Sequence, residues 1–187
     1  MKTVHFVTTN KHKFNEVKDI LSKFNINVKQ LELEKIEPKD YTVEQVAKTA
    51  AETIANQVKM PIVLEDTGIF FEAYTNFPGP LPKFVFDNIG YKGILKLLDN
   101  ESRNAYFKTI TAYAEPGKQA VLFKGIMKGK LTEKVYNQDK DVMPYERIFI
   151  PESFNTTLSD MNREQKNNLS HRSKAFKKFG EWFIENA

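Results

Sequence analysis

The sequence predicts an α/β protein in which a crossover-connected first half carries an antiparallel second half. Three observations predict it. Apolar patterning runs β-α-β-α-β over the first third, the signature of a sheet with crossover helices. Two long strand-like runs then flank a turn at "EPGK" (Glu115–Lys118). No repeat, low-complexity tract or linker separates the halves.

Each element has its own signal. "TVHFVTT" (Thr3–Thr9) is β-branched and aromatic and predicts a buried first strand. Asn10 is placed to cap the next helix, in which Phe14, Val17, Ile20, Leu21 and Phe24 recur at helical spacing. Ile26–Leu33 alternates apolar and polar residues and predicts a second strand, and "EPKDYT" (37–42) a connection. Val43, Val46, Ala47, Ala50, Ile54 and Val58 mark an amphipathic helix over Val43–Val58. Pro61–Leu64 predicts a short buried strand ending on Glu65 and Asp66. A helix is expected over Lys83–Asp99, then two strands within Arg103–Leu131. Thr132–Tyr145 is polar and irregular, "RIFIP" (Arg147–Pro151) predicts a short strand, and Asn162–Asn168 and Arg172–Glu185 predict helices.

Composition narrows the function. A chain of 187 residues suits one domain, or two lobes sharing a sheet. Cysteine is absent, which excludes disulfides and thiolate-held zinc or iron–sulfur centres. No apolar stretch approaches the roughly 20 residues that span a bilayer, and "MKTVHFVTTN" is too short and polar for a secretory signal, so the expected compartment is the cytoplasm. The formal charge of +4 is spread without a long basic tract, which argues against nucleic acid as the partner. A local pocket for a small polyanion uses such charge more economically.

Three stretches carry residues suited to polyanion chemistry. "TTNKHK" (Thr8–Lys13) lies at a strand-to-helix junction, where helix N–H groups and lysines favour anions. Glu44 opens the second predicted helix, and Asp66 follows a strand that in a parallel arrangement ends on the same rim. Carboxylates beside phosphates make sense through Mg²⁺, a hard cation that keeps most of its waters. "SHRSKAFKKF" puts His171 and Arg172 at a helix start, with Ser170 as cap and Lys166 just upstream. Each stretch also has an ordinary reading as a capped helix or a solvated surface.

Together the pieces resemble the inosine/xanthosine triphosphate pyrophosphatase family over essentially the whole chain. Thr8-Thr9-Asn10-Lys11-His12-Lys13 resembles its opening Thr-Gly-Asn-x-x-Lys, and Glu65-Asp66-Thr67-Gly68 its Glu-Asp-Ser-Gly box. Phe77-Pro78-Gly79 with Lys83 beyond, and Lys166 followed by Ser170-His171-Arg172, are similar to its later motifs. The resemblance implies an elongated mixed-sheet α/β fold with two lobes and a central cleft, one catalytic domain over residues 1–187, working as a homodimer. It implies Mg²⁺-dependent hydrolysis, with Mn²⁺ as the other hard cation, of a nucleoside triphosphate to a monophosphate and pyrophosphate. Thr8, Thr9, Asn10, Lys13 and Lys83 would then meet phosphate, and Glu44 and Asp66 would hold metal, with Asp66 also the base. Thr67, Tyr145, Glu146, Lys166, His171 and Arg172 would meet the rest of the substrate.

The chain departs from that pattern at Thr9, where the family has glycine, and at Pro82, which replaces a serine. In "VMPYERIF" (Val142–Phe149), Pro144 replaces a glycine and offers no N–H, Glu146 replaces an aspartate, and Met143 an aromatic. A site that reads bases by hydrogen bonds changes selectivity when a donor goes. Two alternatives therefore stay open: the same chemistry on another triphosphate, and nucleotide binding without turnover.

Overall fold

The computed structural model describes residues 2–34 and 41–186, so most of the expected connection at 37–42 lies outside the described residues. The elements in order are β1 (Lys2–Val7), α1 (Lys11–Ser22), β2 (Ile26–Leu31), α2 (Val43–Val58), β3 (Ile62–Phe71), β4 (Pro78–Gly79), α3 (Pro82–Leu97), β5 (Asn104–Ala114), β6 (Val121–Leu131), β7 (Phe149–Pro151), α4 (Arg163–Leu169) and α5 (His171–Asn186). Short 3-10 turns occupy Pro144–Arg147 and Leu158–Asp160. The sheet runs β2-β1-β3-β5-β6-β7, with β4 attached to β3. β1 is parallel to β2 and β3, while β3, β5, β6 and β7 are antiparallel in turn. The mixed α/β architecture is the one the sequence predicts, with a parallel half and an antiparallel half in one sheet.

Local chemistry explains the boundaries. The Asn10 side chain accepts a hydrogen bond from the Lys13 N–H, which starts α1. Thr42 and Gln45 form a reciprocal capping box at α2, and Lys59 ends that helix in the left-handed conformation. α3 is not the continuous helix expected over Lys83–Asp99: Gly90 breaks it at φ 59° and ψ −170°, a region open essentially to glycine alone.

The larger correction concerns β3. It does not stop at Leu64 but runs ten residues to Phe71, putting Glu65 and Asp66 mid-strand. The reason is β5, which pairs with it without a bulge from Ile62↔Ala114 to Phe71↔Ala105. On its other edge β3 meets β1 at Phe6↔Val63, and pairing resumes with β4 only at Ile69↔Gly79. The sheet opens between those points.

Helices cover both faces. One core joins β1, β2, α1 and α5 through Phe6, Val28, Ile20, Phe176 and Phe179; a second packs α2 on β3 and β5 through Val43, Leu64, Phe70 and Ile110. A third, with Phe71, Ile94, Phe107 and Phe149, lies toward α3 and β7. Among the described residues no helix is long and apolar enough to cross a membrane.

Candidate active site

At the opening beside β3 lies a cavity of about 430 Å³, within the usual range for small-molecule sites. Asn10, Lys13, Asp66, Thr67 and Arg172 line one part, and Phe86, Phe107, Tyr145 and Leu158 supply apolar wall. The cavity therefore joins the start of α1, mid-β3 and the start of α5, which are remote in sequence.

Strand alternation sorts the neighbouring acids. Val63, Glu65 and Thr67 face α1 and α5, while Leu64, Asp66 and Phe70 face α2, as the core contacts of Val63, Leu64 and Phe70 require. Gly68 serves packing: a Cβ there would lie 2.5 Å from the Gly79 carbonyl oxygen, so only glycine lets β4 approach.

Glu65 sits in a buried network. Arg172 donates from Nε and Nη2 to the two Glu65 oxygens at 2.8 and 3.1 Å, and from Nη1 to Glu16 at 2.6 Å. Lys13 Nζ lies 2.8 Å from Glu65 Oε1. Burial would push the Glu65 carboxyl up, but the Arg172 and Lys13 charges outweigh it and hold it well below the usual carboxylate range. The Arg172 guanidinium is correspondingly raised against its own burial by Glu65 and Glu16. His171 is also buried, its ring stacked on Phe107 at 4.5 Å and 9°. Burial, reinforced by the Arg172 charge, holds it well below 6.5, so it is neutral at pH 7. Its Nδ1 has no hydrogen-bond partner among the described residues. Ser170 caps α5 as expected, accepting from the Ser173 N–H at 3.1 Å. The His-Arg pair is thus core rather than solvated surface.

Asp66 is buried, on the same sheet face as α2. Glu44, in the first turn of α2, accepts from Lys108 Nζ on both oxygens at 2.9 Å. Burial raises its carboxyl and the Lys108 hydrogen bond lowers it, with lowering the net result. Among the described residues no three His, Asp or Glu side chains gather as a metal cage. Mg²⁺ asks for no such cage, since it is commonly held by one or two carboxylates, waters and substrate phosphates. Asp66 on that sheet face and Glu44 on the helix packed against it are of the type that meets that demand, with Glu44 yielding an oxygen from Lys108.

The other wall is tied to α3. Tyr145 donates to the Pro82 carbonyl at 3.0 Å, Tyr91 to the Pro144 carbonyl at 2.9 Å, and Arg147 Nη1 to Tyr91 Oη at 3.1 Å. Burial, with smaller contributions from Asp87 and Tyr91, pushes the Tyr145 hydroxyl well up. Glu146 is buried and meets Lys166 Nζ at 3.0 Å. Burial raises its carboxyl, and Lys166 offsets that only in part. Lys83 is exposed and paired with Asp87, one turn on. Thr67 shares a hydrogen bond with Thr109, oxygen to oxygen at 2.6 Å.

Of the residues singled out in the sequence, Asn10, Lys13, Asp66, Thr67, Lys83, Tyr145, Glu146, His171 and Arg172 line the one cavity. Thr8, Thr9, Glu44 and Lys166 do not. Thr8 Oγ1 accepts from the Asn10 N–H at 3.1 Å, Lys166 reaches the cavity through Glu146, and Thr9 is exposed. Sequence reasoning missed Glu16, Phe107 and Lys108. Glu16 had a signal: it falls on the stripe with Val17 and Ile20 that α1 buries. Phe107 and Lys108 had none, because their roles need the β3–β5 register.

Comparisons with known proteins bear on the whole chain. The Ham1 family model matches residues 4–182. A protein of Saccharolobus solfataricus named dITP/XTP pyrophosphatase is 41% identical over 180 residues, covering 96% of this chain and 92% of its own. Those of Methanosarcina mazei and Methanopyrus kandleri, with the same name, are 39% identical (100% of both chains) and 38% identical (98% and 97%). A solved HAM1 protein from Coxiella burnetii superposes with a TM-score of 0.82 at 21% identity, over 99% of this chain and 100% of its own. The Staphylococcus aureus Ham1 protein gives 0.80 at 21% identity over the full length of both, and these two likenesses concern the fold. With a family match spanning nearly its whole length and relatives near 40% identity, the chain belongs to the Ham1 family.

Proposed function

We propose that the protein is a nucleoside triphosphate pyrophosphohydrolase of deaminated purines, cleaving ITP, dITP and XTP between the α- and β-phosphates. The observation that carries the reading is one cavity lined by a buried aspartate, two lysines and a buried arginine, with an aromatic wall opposite. The relatives named dITP/XTP pyrophosphatase support the choice of substrate.

In this reading Lys13 meets the phosphates with N–H groups that Glu65 leaves available, because an ammonium has three donors. Asn10 and the N–H groups opening α1 lie beside it, with Thr8 and Thr9 fixing the approach and Lys83 adding charge from α3. Asp66 accepts a proton from the attacking water, whose oxygen bonds to the α-phosphorus. The bond from that phosphorus to the bridging oxygen breaks, and its electron pair leaves with pyrophosphate. Neutral His171 offers Nδ1, and Arg172 has used three of its N–H groups, leaving donors for base or sugar. Thr67, Tyr145 and the Glu146–Lys166 pair complete the substrate side. Asp66 and Glu44 would hold Mg²⁺, or Mn²⁺ in its place, which supplies charge neutralisation at the phosphates. The protein is taken as one catalytic unit of two lobes, a cytoplasmic homodimer whose partner is a small nucleotide.

A panel of nucleoside triphosphates with Mg²⁺, scored for pyrophosphate against orthophosphate, tests this. Pyrophosphate chiefly from ITP, dITP and XTP is expected. Turnover favouring ATP or UTP would move the specificity to another nucleotide, and tight binding without product would remove the enzyme.

A further inference from the structure

Glu44 is already neutralised by a cation of the protein's own. Lys108 Nζ lies 2.9 Å from each of its oxygens, a symmetrical placement that takes one lone-pair direction on both and sets a positive charge where a second cation would have to approach. The ammonium is held in place from below as well, 5.1 Å from the Phe70 ring centroid, in cation–π range. Phe70 is stacked in turn on Tyr106 at 4.9 Å and 7°. Lys108 pairs in register with Gly68, two residues along β3 from Asp66, so its side chain stands on the sheet face that carries Asp66. The Lys108 side chain is 17% exposed and Glu44 37%, so water reaches the pair and exchange is open to it. Lys124, on the same face of β6, adds positive field at Glu44.

We infer that Lys108 is a positioning residue that occupies Glu44 as a resident counter-cation, which a divalent ion must displace. The inference rests on the reading of Glu44 as a metal ligand. With Lys108 in place the protein binds bare metal weakly, through Asp66. The ion gains Glu44 when it arrives with a polyphosphate, whose negative charge offers the displaced ammonium a new partner. Lys108 thereby couples metal loading to the presence of substrate.

Mn²⁺ binding without nucleotide, followed by the electron paramagnetic resonance signal of the free ion, tests this in a double-mutant cycle. Lys108→Met should tighten Mn²⁺ by about tenfold or more, as removal of an adjacent unit charge demands. Lys108→Arg, which keeps the charge, should stay at wild-type affinity. Glu44→Gln bares the Lys108 charge and should leave Mn²⁺ no tighter than in the wild type, whereas the Lys108→Met/Glu44→Gln double variant, with the local charge back at the wild-type sum, should return to near wild-type affinity. A gain that persists undiminished in the double variant would show only a general field effect and overturn the proposal, as would no gain. Lys108→Gln replaces the Met variant should melting curves show that the latter is unfolded. Failure of the functional reading shows elsewhere, as an absence of pyrophosphate from every triphosphate, and leaves the cycle readable.

Discussion

Two carboxylates near the cavity are paired with cations in opposite ways. Glu65 is 3% exposed and locked among Arg172, Lys13 and, through Arg172, Glu16, so that β3, α1 and α5 are joined by buried charge. Glu44 is in reach of solvent at the start of α2, and among the described residues its ion pair is with Lys108 alone. A buried cluster cannot lose a member without stranding a charge in low dielectric, whereas a half-exposed pair can trade its cation for water or metal. The difference teaches which acid holds the scaffold and which can take part in exchange. Being acidic and next to Asp66 does not make Glu65 a ligand.

The largest effect should therefore follow Glu65→Ala. It leaves Arg172 buried with Glu16 alone, and denaturant unfolding should show a loss of about 3–5 kcal/mol. A loss below about 1 kcal/mol, the range of a surface pair, would break the comparison.

Next comes pH. His171 has a folded pKa well below 6.5, so as pH falls through 6.5 the unfolded chain takes up a proton that the folded state refuses. Stability then declines, by at most about 1.4 kcal/mol per pH unit for one proton. Glu65, also depressed, keeps its full contribution above 4.5 and loses it as pH falls further toward its folded value. Unfolding titrations should show a loss that begins near pH 6.5 and that His171→Gln removes, and a further loss setting in below 4.5 that persists in that variant. An unchanged early loss in His171→Gln would contradict the buried neutral ring.

Smaller effects belong to the exposed pairs. Glu44→Gln should cost about 1 kcal/mol or less in unfolding, given its exposure. Lys83→Met should be smaller still, a few tenths of a kcal/mol as for exposed pairs one helical turn apart, because Lys83 and Asp87 are both largely in water. Its effect should appear instead in the KM for a triphosphate.

The same contrast explains what could be read from the sequence. Asn10, Ser170, the helix stripes and the hairpin at Glu115–Lys118 are local signals, and each names an element that forms. The strand expected to end at Leu64 runs on although charged residues normally leave a buried strand, because the partners that keep Glu65 there lie 52 and 107 positions away. That chemistry is invisible without the fold. Gly90 is legible as a helix-weakening residue but not as a break, since a single glycine is also tolerated inside a helix. For the cavity, the motif residues on β3 and α5 are legible in the sequence, whereas Phe107 in its wall, and Lys108 beside Glu44, depend on the register of β3 and β5.

Asp66 is where the account is most exposed. Asp66→Asn keeps the volume and removes the carboxylate assigned both the proton and the metal, so single-turnover hydrolysis of ITP with Mg²⁺, measured beside the melting curve, tests whether the chemistry passes through it. Product formation should fall by about 10²-fold or more, the scale of a lost general base, while melting stays close to that of the wild type. Wild-type rates in a folded Asp66→Asn protein would take Asp66 out of the chemistry.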